Sequence, residues 1–286
     1  MPPYTFPHNS PALAGILNVT PDSFSDGGSF LSADAATQQA HQLVSEGATI
    51  IDIGGESTRP GSQPVDPHEQ IRRVLPIIQR LAADPNFTQH ATISIDTTSD
   101  TVAAASLEAG AAIENDTSAA QDSPNMLSLI AQHNAAVILM HRPAQPAVMQ
   151  HNPHYRDVVS DVLDHLLDRA AAALAAGIPR DQIALDPGIG FGKTTQHNLA
   201  LIENLSKFVA TGYTIMAGAS RKRFIGEICT IQNAPDRDHA SAVVTAMAAR
   251  AGVQLHRVHK PAAHLYAMRL GWNISCNPTK PPHTAK

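Results

Sequence analysis

Side chains that can do chemistry follow short apolar segments along this 286-residue chain. Two carboxylates, Asp96 and Asp186, suit a polar ring with adjacent N–H donors, because a carboxylate accepts two parallel N–H bonds well. Arg257 and His259 suit an anion. The full set at the segment ends is Asn18, residues 54–59, Asp96, Asn115, His141, Asp186, residues 220–222, Arg257 and His259. Together these residues predict a two-part ligand, with a polar flat ring at one end and a phosphorylated group at the other.

Each carboxylate also has a purely structural interpretation. Asp96 closes the segment TISID (residues 92–96), in which polar residues alternate with two isoleucines and therefore share one face. A strand-end aspartate of this kind also fits the cap of the next helix. Asp186 precedes Pro187 and Gly188, and it fits an Asx turn as well as a ligand contact.

The glycine-rich segment DPGIGFGKTT (residues 186–195) resembles two phosphate-binding motifs and matches neither. A Walker loop needs four residues between its first glycine and the Gly-Lys pair, whereas only three separate Gly188 from Gly192. The glycine spacing also differs from the dinucleotide fingerprint. We interpret the segment as a flexible loop that makes Phe191 available to cover a planar ligand.

Basic residues are concentrated near the end of the pattern, in SRKR (residues 220–223) and in Arg257. A solvated surface cluster is the alternative to an anion site, but a phosphate site after strands 7 and 8 recurs in (β/α)8 barrels. The fifteen histidines show no zinc spacing, because the pairs at 151/154 and 256/259 lack partner ligands.

A long polar loop separates the first apolar segment from the first helical pattern. Residues 18–28 are dominated by Asn, Pro, Asp, Ser and Gly, yet they include Val19 and Phe24. Long loops without secondary structure are uncommon in compact domains and are often functional. We expect this loop to fold over a ligand.

Eight apolar segments alternate with helical patterns, which predicts parallel βαβ units. The apolar segments are 12–17, 49–53, 92–95, 111–113, 135–140, 182–185, 214–217 and 255–258, and helical patterns include 33–46, 67–82, 101–109, 125–133, 157–176 and 239–251. Eight units in roughly 250 residues match a TIM (β/α)8 barrel, whose active site lies at the carboxyl ends of the strands. A doubly wound open sheet is the alternative, since it gives the same local pattern.

Length and composition suit one large domain or two small ones, and we predict a single domain over residues 1–286. The chain is 43% hydrophobic and 16% charged, with a net charge of −5, which gives no broad basic surface for nucleic acid. Two cysteines make no disulfide framework and fit the cytoplasm. We find no signal peptide pattern and no membrane-spanning segment. Residues 277–286 are polar and proline-rich, and we predict that they are disordered.

Eight motifs in order resemble the dihydropteroate synthases of the pterin-binding enzyme family. They are GILNVTPDSFSDGG (15–28), DIGGESTRPG (52–61), SIDT (94–97), ND (115–116), LMH (139–141), LDPGIGFGK (185–193), SRK (220–222) and RVH (257–259). This resemblance implies condensation of 6-hydroxymethyl-7,8-dihydropterin diphosphate with 4-aminobenzoate, giving 7,8-dihydropteroate and diphosphate. It also implies a Mg²⁺ cofactor, a homodimer, sulfonamide inhibition and mobile loops after strands 1 and 2.

The resemblance also implies a role for each matching residue. Pterin binding falls to Asp96, Asn115, Asp186 and Lys222, and diphosphate binding to Asn18, Arg257 and His259. Asn18 is the expected Mg²⁺ contact. Aminobenzoate binding falls to Thr58, Arg59, Pro60, Phe191 and Ser220, and the expected catalytic groups are Asp96, Lys222, Arg257 and His259. We expect an SN1-like displacement without a covalent enzyme intermediate.

Three features depart from the family pattern. Glu114 stands where an apolar residue is usual, Lys260 replaces an acidic residue, and residues 117–120 lack a glycine. Two other functions remain open at this point. One is a pterin-binding methyltransferase, which would not need the SRK, RVH and Thr58-Arg59-Pro60 elements together; the other is a non-catalytic binding paralogue.

Overall fold

Eight parallel strands form a closed barrel in a computed structural model that describes residues 3–19, 29–56, 64–145 and 148–276. Each strand pairs with the next, and β8 pairs with β1. The strands are β1 (Ala12–Asn18), β2 (Ile50–Gly54), β3 (Thr92–Asp96), β4 (Ile113–Asp116), β5 (Ala136–Met140), β6 (Ile183–Asp186), β7 (Thr214–Ala217) and β8 (Leu255–Val258). The predicted (β/α)8 barrel is confirmed, and the open sheet is excluded because β1 and β8 are joined.

Helices surround the barrel and connect successive strands. They are α1 (Ser29–Ser45), α2 (Pro67–Ala82), α3 (Pro85–Thr88), α4 (Asp100–Glu108), α5 (Met126–Gln132), α6 (Val158–Ala175), α7 (Thr195–Glu203), α8 (Leu205–Val209), α9 (Arg223–Cys229), α10 (Asp238–Arg250) and α11 (Pro261–Cys276). All six predicted helical patterns coincide with helices in this set. In the described part of the chain, no helix is long and apolar enough to cross a membrane.

Local sequence signals place the helix ends. The Asp66 and Asp157 side chains accept backbone N–H bonds at the starts of α2 and α6, which satisfies donors that a helix leaves unpaired. Past the helix ends, Gly47, Gly110, Gly177 and Gly252 have φ between 94° and 117°. Left-handed backbone of this kind favours glycine, as the sequence predicted.

The barrel wall separates two apolar layers. Ile51, Ile53, Ile93 and Ile95 belong to the large core between strands and helices. Inside the barrel, a smaller group fills the amino-terminal end and includes Phe6 from the segment before β1. That plug leaves the opposite end of the interior for polar side chains, since residues two apart on a strand share a face.

Strand β4 begins later than its apolar segment indicated. The apolar segment at 111–113, with Asn115 at the strand end, predicted a strand through Asn115, whereas β4 runs from Ile113 through Asp116 and is buried along its length. Apolar content alone misses this strand because three of its four residues are polar. The interior position of Asn115 therefore comes from the strand itself and not from a loop after it.

Some predictions fall outside the described residues. They concern Thr58, Arg59, Pro60, the loop portion at 20–28 and the tail at 277–286. Their expected roles therefore stay predictions.

Candidate active site

A cavity of about 750 Å³ opens at the carboxyl ends of the strands. It brings together side chains that lie up to 241 positions apart in the sequence, from Asn18 to His259. The predicted site residues that line it are Asn18, Asn115, Asp186, Phe191, Ser220, Lys222, Arg257 and His259. Asp96 is buried beside this group and reaches it through Arg257. The barrel thus places these predicted ligand-binding residues around one cavity.

A buried cluster of charges forms the floor of this site. The Arg257 Nε donates to Asp52 Oδ2 at 2.6 Å, and a terminal nitrogen of the same guanidinium donates to Asp96 Oδ2 at 2.5 Å. Asp52 also accepts from Ser94 Oγ at 2.7 Å and from Asn115 Nδ2 at 3.0 Å. We call Asp52, Ser94, Asp96, Asn115 and Arg257 the inner cluster. One guanidinium thereby holds two carboxylates that burial would otherwise penalise heavily.

Two acceptors of the inner cluster have no hydrogen-bond donor among the described residues. They are Asp96 Oδ1 and Asn115 Oδ1, and both are buried. Buried polar atoms are normally paired, so these two positions call for a ligand that donates. Burial is the main cause that raises the pKa of Asp96 to about 7, with Arg257 opposing the shift and Asp52 adding to it.

Asp186 combines both of its sequence interpretations. Its Oδ1 accepts the Gly188 N–H at 2.7 Å, which is the expected Asx turn, while the residue also lines the cavity. Burial raises the pKa of Asp186 to about 6, and Lys222 and Arg257 pull it down. The turn fixes one oxygen, so the carboxylate has a defined orientation toward a ligand.

The loop after β6 is a packed structure with left-handed glycines. Gly188, Gly190 and Gly192 all have positive φ. A Cβ at Gly188 would lie 1.9 Å from the His141 carbonyl oxygen, so no larger residue fits there. The Phe191 ring lies 3.7 Å below the Lys222 Nζ, a cation–π contact inside the cavity. The expected cover for a planar ligand is thus already in contact with a pterin-binding candidate.

A buried lysine anchors this loop to β5. Lys193 Nζ lies 3.0 Å from His141 Nδ1 and donates to the Phe191 carbonyl oxygen at 3.0 Å. Burial lowers the pKa of Lys193 to about 7, and burial with the nearby Lys193 charge also lowers the pKa of His141. Neutral His141 can accept a hydrogen bond from Lys193, and Lys193 in turn holds the Phe191 backbone in place.

The anion candidates have separate roles in the fold. Ser220 Oγ accepts the His259 backbone N–H at 3.2 Å and lies 3.0 Å from His259 Nδ1. This pairing favours a His259 tautomer with its proton on Nε2. Arg221 instead forms two bonds to Asp238, at 2.6 and 2.8 Å, and its φ is 60°. Ser220, Arg221 and Lys222 all line the cavity, but the Arg221 guanidinium is held by Asp238 and fixes the loop to α10.

The sequence did not indicate Asp52 or Lys193 as site residues. It also did not indicate that His141 pairs with Lys193. Asp52 carried a detectable signal, because it alternates with Ile51 and Ile53 as Ser94 does with its neighbours. Lys193 carried none, since a lysine beside a glycine loop is normally exposed. Its burial depends on the barrel bringing β5 and β6 together.

The described residues contain no cluster of three His, Cys, Asp or Glu side chains that could hold a metal ion. Asn18 lines the cavity near Arg257 and His259. Its amide oxygen suits Mg²⁺, which prefers oxygen ligands and usually takes few protein ligands alongside substrate phosphates. The donor set fits a metal held jointly with a phosphorylated ligand.

Comparison with known proteins decides the family. A family model described as pterin binding enzyme matches residues 14–259. The chain belongs to the pterin-binding enzyme family. Within this family it is similar to the dihydropteroate synthase of Mycobacterium leprae, with 44% identity over 264 residues that cover 90% of this chain and 91% of the relative.

Solved structures agree with this membership. A Xanthomonas albilineans dihydropteroate synthase with 4-aminobenzoic acid superposes with a TM-score of 0.85 at 40% identity, covering 94% of each chain. A Yersinia pestis dihydropteroate synthase with a sulfonamide drug gives a TM-score of 0.87 at 38% identity, covering 95% of this chain and 96% of that one. The pterin-binding fold therefore extends over nearly the whole molecule.

The loop after β4 lacks the glycine of the family pattern, and its backbone conformation shows the effect. Ala119 and Ala120 have φ of 55° and 58°, where a glycine would be unstrained. Arg169 donates to both carbonyl oxygens, and Asp116 Oδ1 accepts from Ser118 at 2.6 Å. The loop next to Asn115 is therefore held by contacts in place of a glycine.

Proposed function

We propose that this chain is a dihydropteroate synthase, a transferase that joins the pterinylmethyl group to 4-aminobenzoate. The observation that carries the proposal is the pair of unfilled buried acceptors, Asp96 Oδ1 and Asn115 Oδ1, beside a cavity lined by Lys222, Arg257 and His259. A reduced pterin supplies ring N–H and amino donors. Its diphosphate supplies the anion.

The pterin half of the ligand is assigned to the deep end of the cavity. Asp186 accepts from the adjacent amino group and ring N–H, and Asn115 and Asp96 accept from the remaining donors. Lys222 donates to a ring acceptor. Hydrogen bonds to charged groups contribute about 1.5–3 kcal/mol each, which is enough to select a pterin over an apolar ring of equal size.

The diphosphate half is assigned to Asn18, Arg257 and His259. Asn18 would hold Mg²⁺ together with the diphosphate oxygens, and the metal would supply charge neutralisation to the leaving group. Arg257 and His259 donate to the same oxygens. Preorganised donors at the position where charge develops lower the barrier of such a step.

The second substrate, 4-aminobenzoate, is assigned to Phe191 and Ser220, which are described residues that line the cavity. Thr58, Arg59 and Pro60 are proposed to complete it from the loop after β2, with residues 20–28 closing over both ligands. The relatives solved with 4-aminobenzoic acid and with a sulfonamide support sulfonamide inhibition here. We expect sulfonamides to compete with 4-aminobenzoate.

The proposed mechanism follows from where charge develops. The C–O bond to diphosphate breaks and its electron pair leaves with the diphosphate, toward Arg257 and His259. Positive charge builds on the exocyclic carbon and the ring, which Asp96 stabilises from the inner cluster. The amine of 4-aminobenzoate then forms the C–N bond and loses one proton. No enzyme nucleophile is needed, so a trapped pterinyl-enzyme adduct would contradict this mechanism.

Titration calorimetry distinguishes this function from its two rivals. We expect 6-hydroxymethyl-7,8-dihydropterin diphosphate to bind at least ten times more tightly than the same pterin without diphosphate, and only in the presence of Mg²⁺. A methyltransferase would show no such preference. A binding paralogue would bind the diphosphate without forming product when 4-aminobenzoate is added, and either outcome would refute the proposal.

A second copy of this chain is the proposed partner. Val243 and Met247 on α10, with Tyr266, Leu270 and Ile274 on α11, are all more than half exposed. The two helices cross closely, since a Cβ at Gly271 would lie 2.2 Å from the Ala246 carbonyl oxygen. An apolar face this continuous is typical of a protein interface.

Sedimentation tests the homodimer. We expect the parent chain to sediment as a dimer and Leu270→Glu to sediment as a monomer. Leu174→Glu is the matched control, because Leu174 is an exposed leucine on α6, away from the α10–α11 face. A dimer that survives Leu270→Glu would contradict this interface. We also propose a cytoplasmic location, on the basis of the two cysteines.

A further inference from the structure

Asp52 is the most connected residue of the inner cluster and yet is absent from the cavity lining. It is 2% exposed, and its two oxygens accept from Ser94, Asn115 and Arg257. Two of these partners, Asn115 and Arg257, line the cavity. Any influence of Asp52 on a ligand must therefore pass through those two side chains.

Asp52 determines which atom Asn115 presents to the ligand. An asparagine amide has a donor end and an acceptor end of nearly equal shape. With Nδ2 bonded to the Asp52 carboxylate at 3.0 Å, the opposite atom is Oδ1, and Oδ1 is the buried acceptor without a donor. The flipped amide would set its oxygen against a carboxylate, which is repulsive. The carboxylate therefore fixes Asn115 as an acceptor.

Asp52 also fixes the direction of Arg257. The guanidinium bonds to Asp52 through Nε and to Asp96 through a terminal nitrogen, so two anchors define its plane. Ser94 bonds to the other Asp52 oxygen and orients the carboxylate. Without Asp52, Arg257 would have Asp96 as its remaining anion in this cluster and could rotate about that single contact.

We propose that Asp52 is a positioning residue that sets the ligand preference of the pterin site. It presents Asn115 as an acceptor, so the pocket favours a ring that donates hydrogen bonds. It also holds Arg257, the proposed diphosphate contact, in a fixed plane. This inference rests on the proposed function for the identity of the ring.

Three variants test the proposal by calorimetry with 6-hydroxymethylpterin and by steady-state kinetics. Asp52→Ala removes the acceptor and should weaken pterin affinity on the order of 10- to 100-fold, because Asn115 is free to flip. KM for the pterin diphosphate should rise with it, while KM for 4-aminobenzoate stays within about threefold. Ser106→Ala is the control, a fully buried serine on α4 outside the inner cluster and the cavity lining, and should change pterin affinity by less than about threefold.

Asp52→Asn provides the conservative rescue. Its amide oxygen can still accept from Asn115 and Arg257 while its NH2 group donates to Ser94, so pterin affinity should return to within about fivefold of the parent. Equal losses for Asp52→Ala and Ser106→Ala would overturn the proposal. A loss in Asp52→Asn as large as in Asp52→Ala would also overturn it, because the acceptor would then not be what matters.

A crystal structure of Asp52→Ala separates this inference from the proposed function. We expect Asn115 Nδ2 to lose its carboxylate partner and Arg257 to turn onto Asp96. If both side chains keep their parental positions, Asp52 does not position them. If the parent chain binds no pterin while these side chains move as expected, the proposed function fails and the positioning role stands.

Discussion

Buried acidic side chains on the two faces of the barrel wall differ in whether they have hydrogen-bond partners. Inside the barrel, Asp52 accepts from three side chains and shares Arg257 with Asp96. On the other face of β4, Glu114 is fully buried, and neither of its oxygens has a partner among the described residues. Burial strongly raises the pKa of Glu114, so it remains protonated under conditions that ionise an ordinary glutamate.

This difference distinguishes buried acids that are arranged for a ligand from a buried acid that only lowers the stability of the fold. In the inner cluster a guanidinium lies between the two carboxylates and offsets part of the cost of burial, and the unfilled acceptors of the cluster point to a ligand. Glu114 has no such partner among the described residues and does not line the cavity. The contrast shows that burial of an acid alone does not mark a site, whereas burial with a shared counter-ion and unfilled acceptors does.

The largest effect should come from removing the shared counter-ion. Arg257→Ala leaves Asp52 and Asp96 buried without their cation, and breaking a buried pair from one side costs about 3–5 kcal/mol of unfolding free energy. Chemical denaturation measures this loss. Arg257→Lys, which keeps the charge but loses the two-pronged geometry, should lose less. Equal stability of Arg257→Ala and the parent would remove the basis of the comparison.

A functional effect with little change in stability should follow from Asp186→Asn. The Gly188 N–H still has an oxygen to bond, which leaves the new NH2 group facing the ligand donors in the cavity. We expect pterin affinity to fall by about 1.5–3 kcal/mol, measured by calorimetry. The thermal midpoint should stay close to that of the parent. Unchanged affinity would exclude Asp186 from the pterin site.

On the outer face of the barrel wall, the comparison predicts a gain in the free energy of unfolding. Glu114→Leu removes a buried carboxyl without partners and should raise the unfolding free energy by about 1–3 kcal/mol. Activity should remain, since Glu114 points away from the cavity. Glu114→Gln is the control: it abolishes ionisation but retains a buried polar group. A loss of stability in Glu114→Leu would show that the outer acid has a partner role.

The same residue gives a pH dependence with a definite sign. Because the folded-state pKa of Glu114 is above its unfolded value, the folded state holds the proton more tightly. Its contribution to stability is therefore lost as pH rises above the ordinary glutamate pKa. The stability difference between Glu114→Gln and the parent should grow as pH increases from 5 to 8 in denaturation experiments, and a difference that shrinks would contradict the raised pKa.

The smallest effect concerns the loop that follows β4. Ala120→Gly should relieve left-handed backbone at φ 58°, with a gain of about 0.5–1 kcal/mol after the greater entropy of glycine in the unfolded chain is subtracted. The control is Ala136→Gly, since Ala136 lies within β5, where glycine should destabilise. A loss of stability in both variants would show that the loop is not strained.

Much of the fold followed from local signals. Alternating apolar segments and helical patterns predicted the barrel, and the glycines after helices had the expected left-handed backbone. The apolar segment at 111–113 shares only Ile113 with strand β4 (Ile113–Asp116), because Glu114, Asn115 and Asp116 are polar although all are buried. A strand of polar residues gives no apolar signal.

The site was predictable only in part, for a physical reason. Residues with unusual chemistry at strand ends, such as Asp186 and Arg257, could be named from the sequence. Asp52 and Lys193 acquire their roles from partners on other strands, and Arg221 is bound to Asp238 on α10, so their functions depend on tertiary contacts. Spacing along the chain does not encode these contacts.

Product formation tests the proposed function most directly. Purified protein would be incubated with 6-hydroxymethyl-7,8-dihydropterin diphosphate and 4-aminobenzoate, with and without Mg²⁺, and the products would be identified by mass spectrometry. We predict 7,8-dihydropteroate and diphosphate in equal amounts, with formation dependent on Mg²⁺ and blocked by a sulfonamide. Tight binding of both substrates by the parent protein without formation of dihydropteroate would contradict the account.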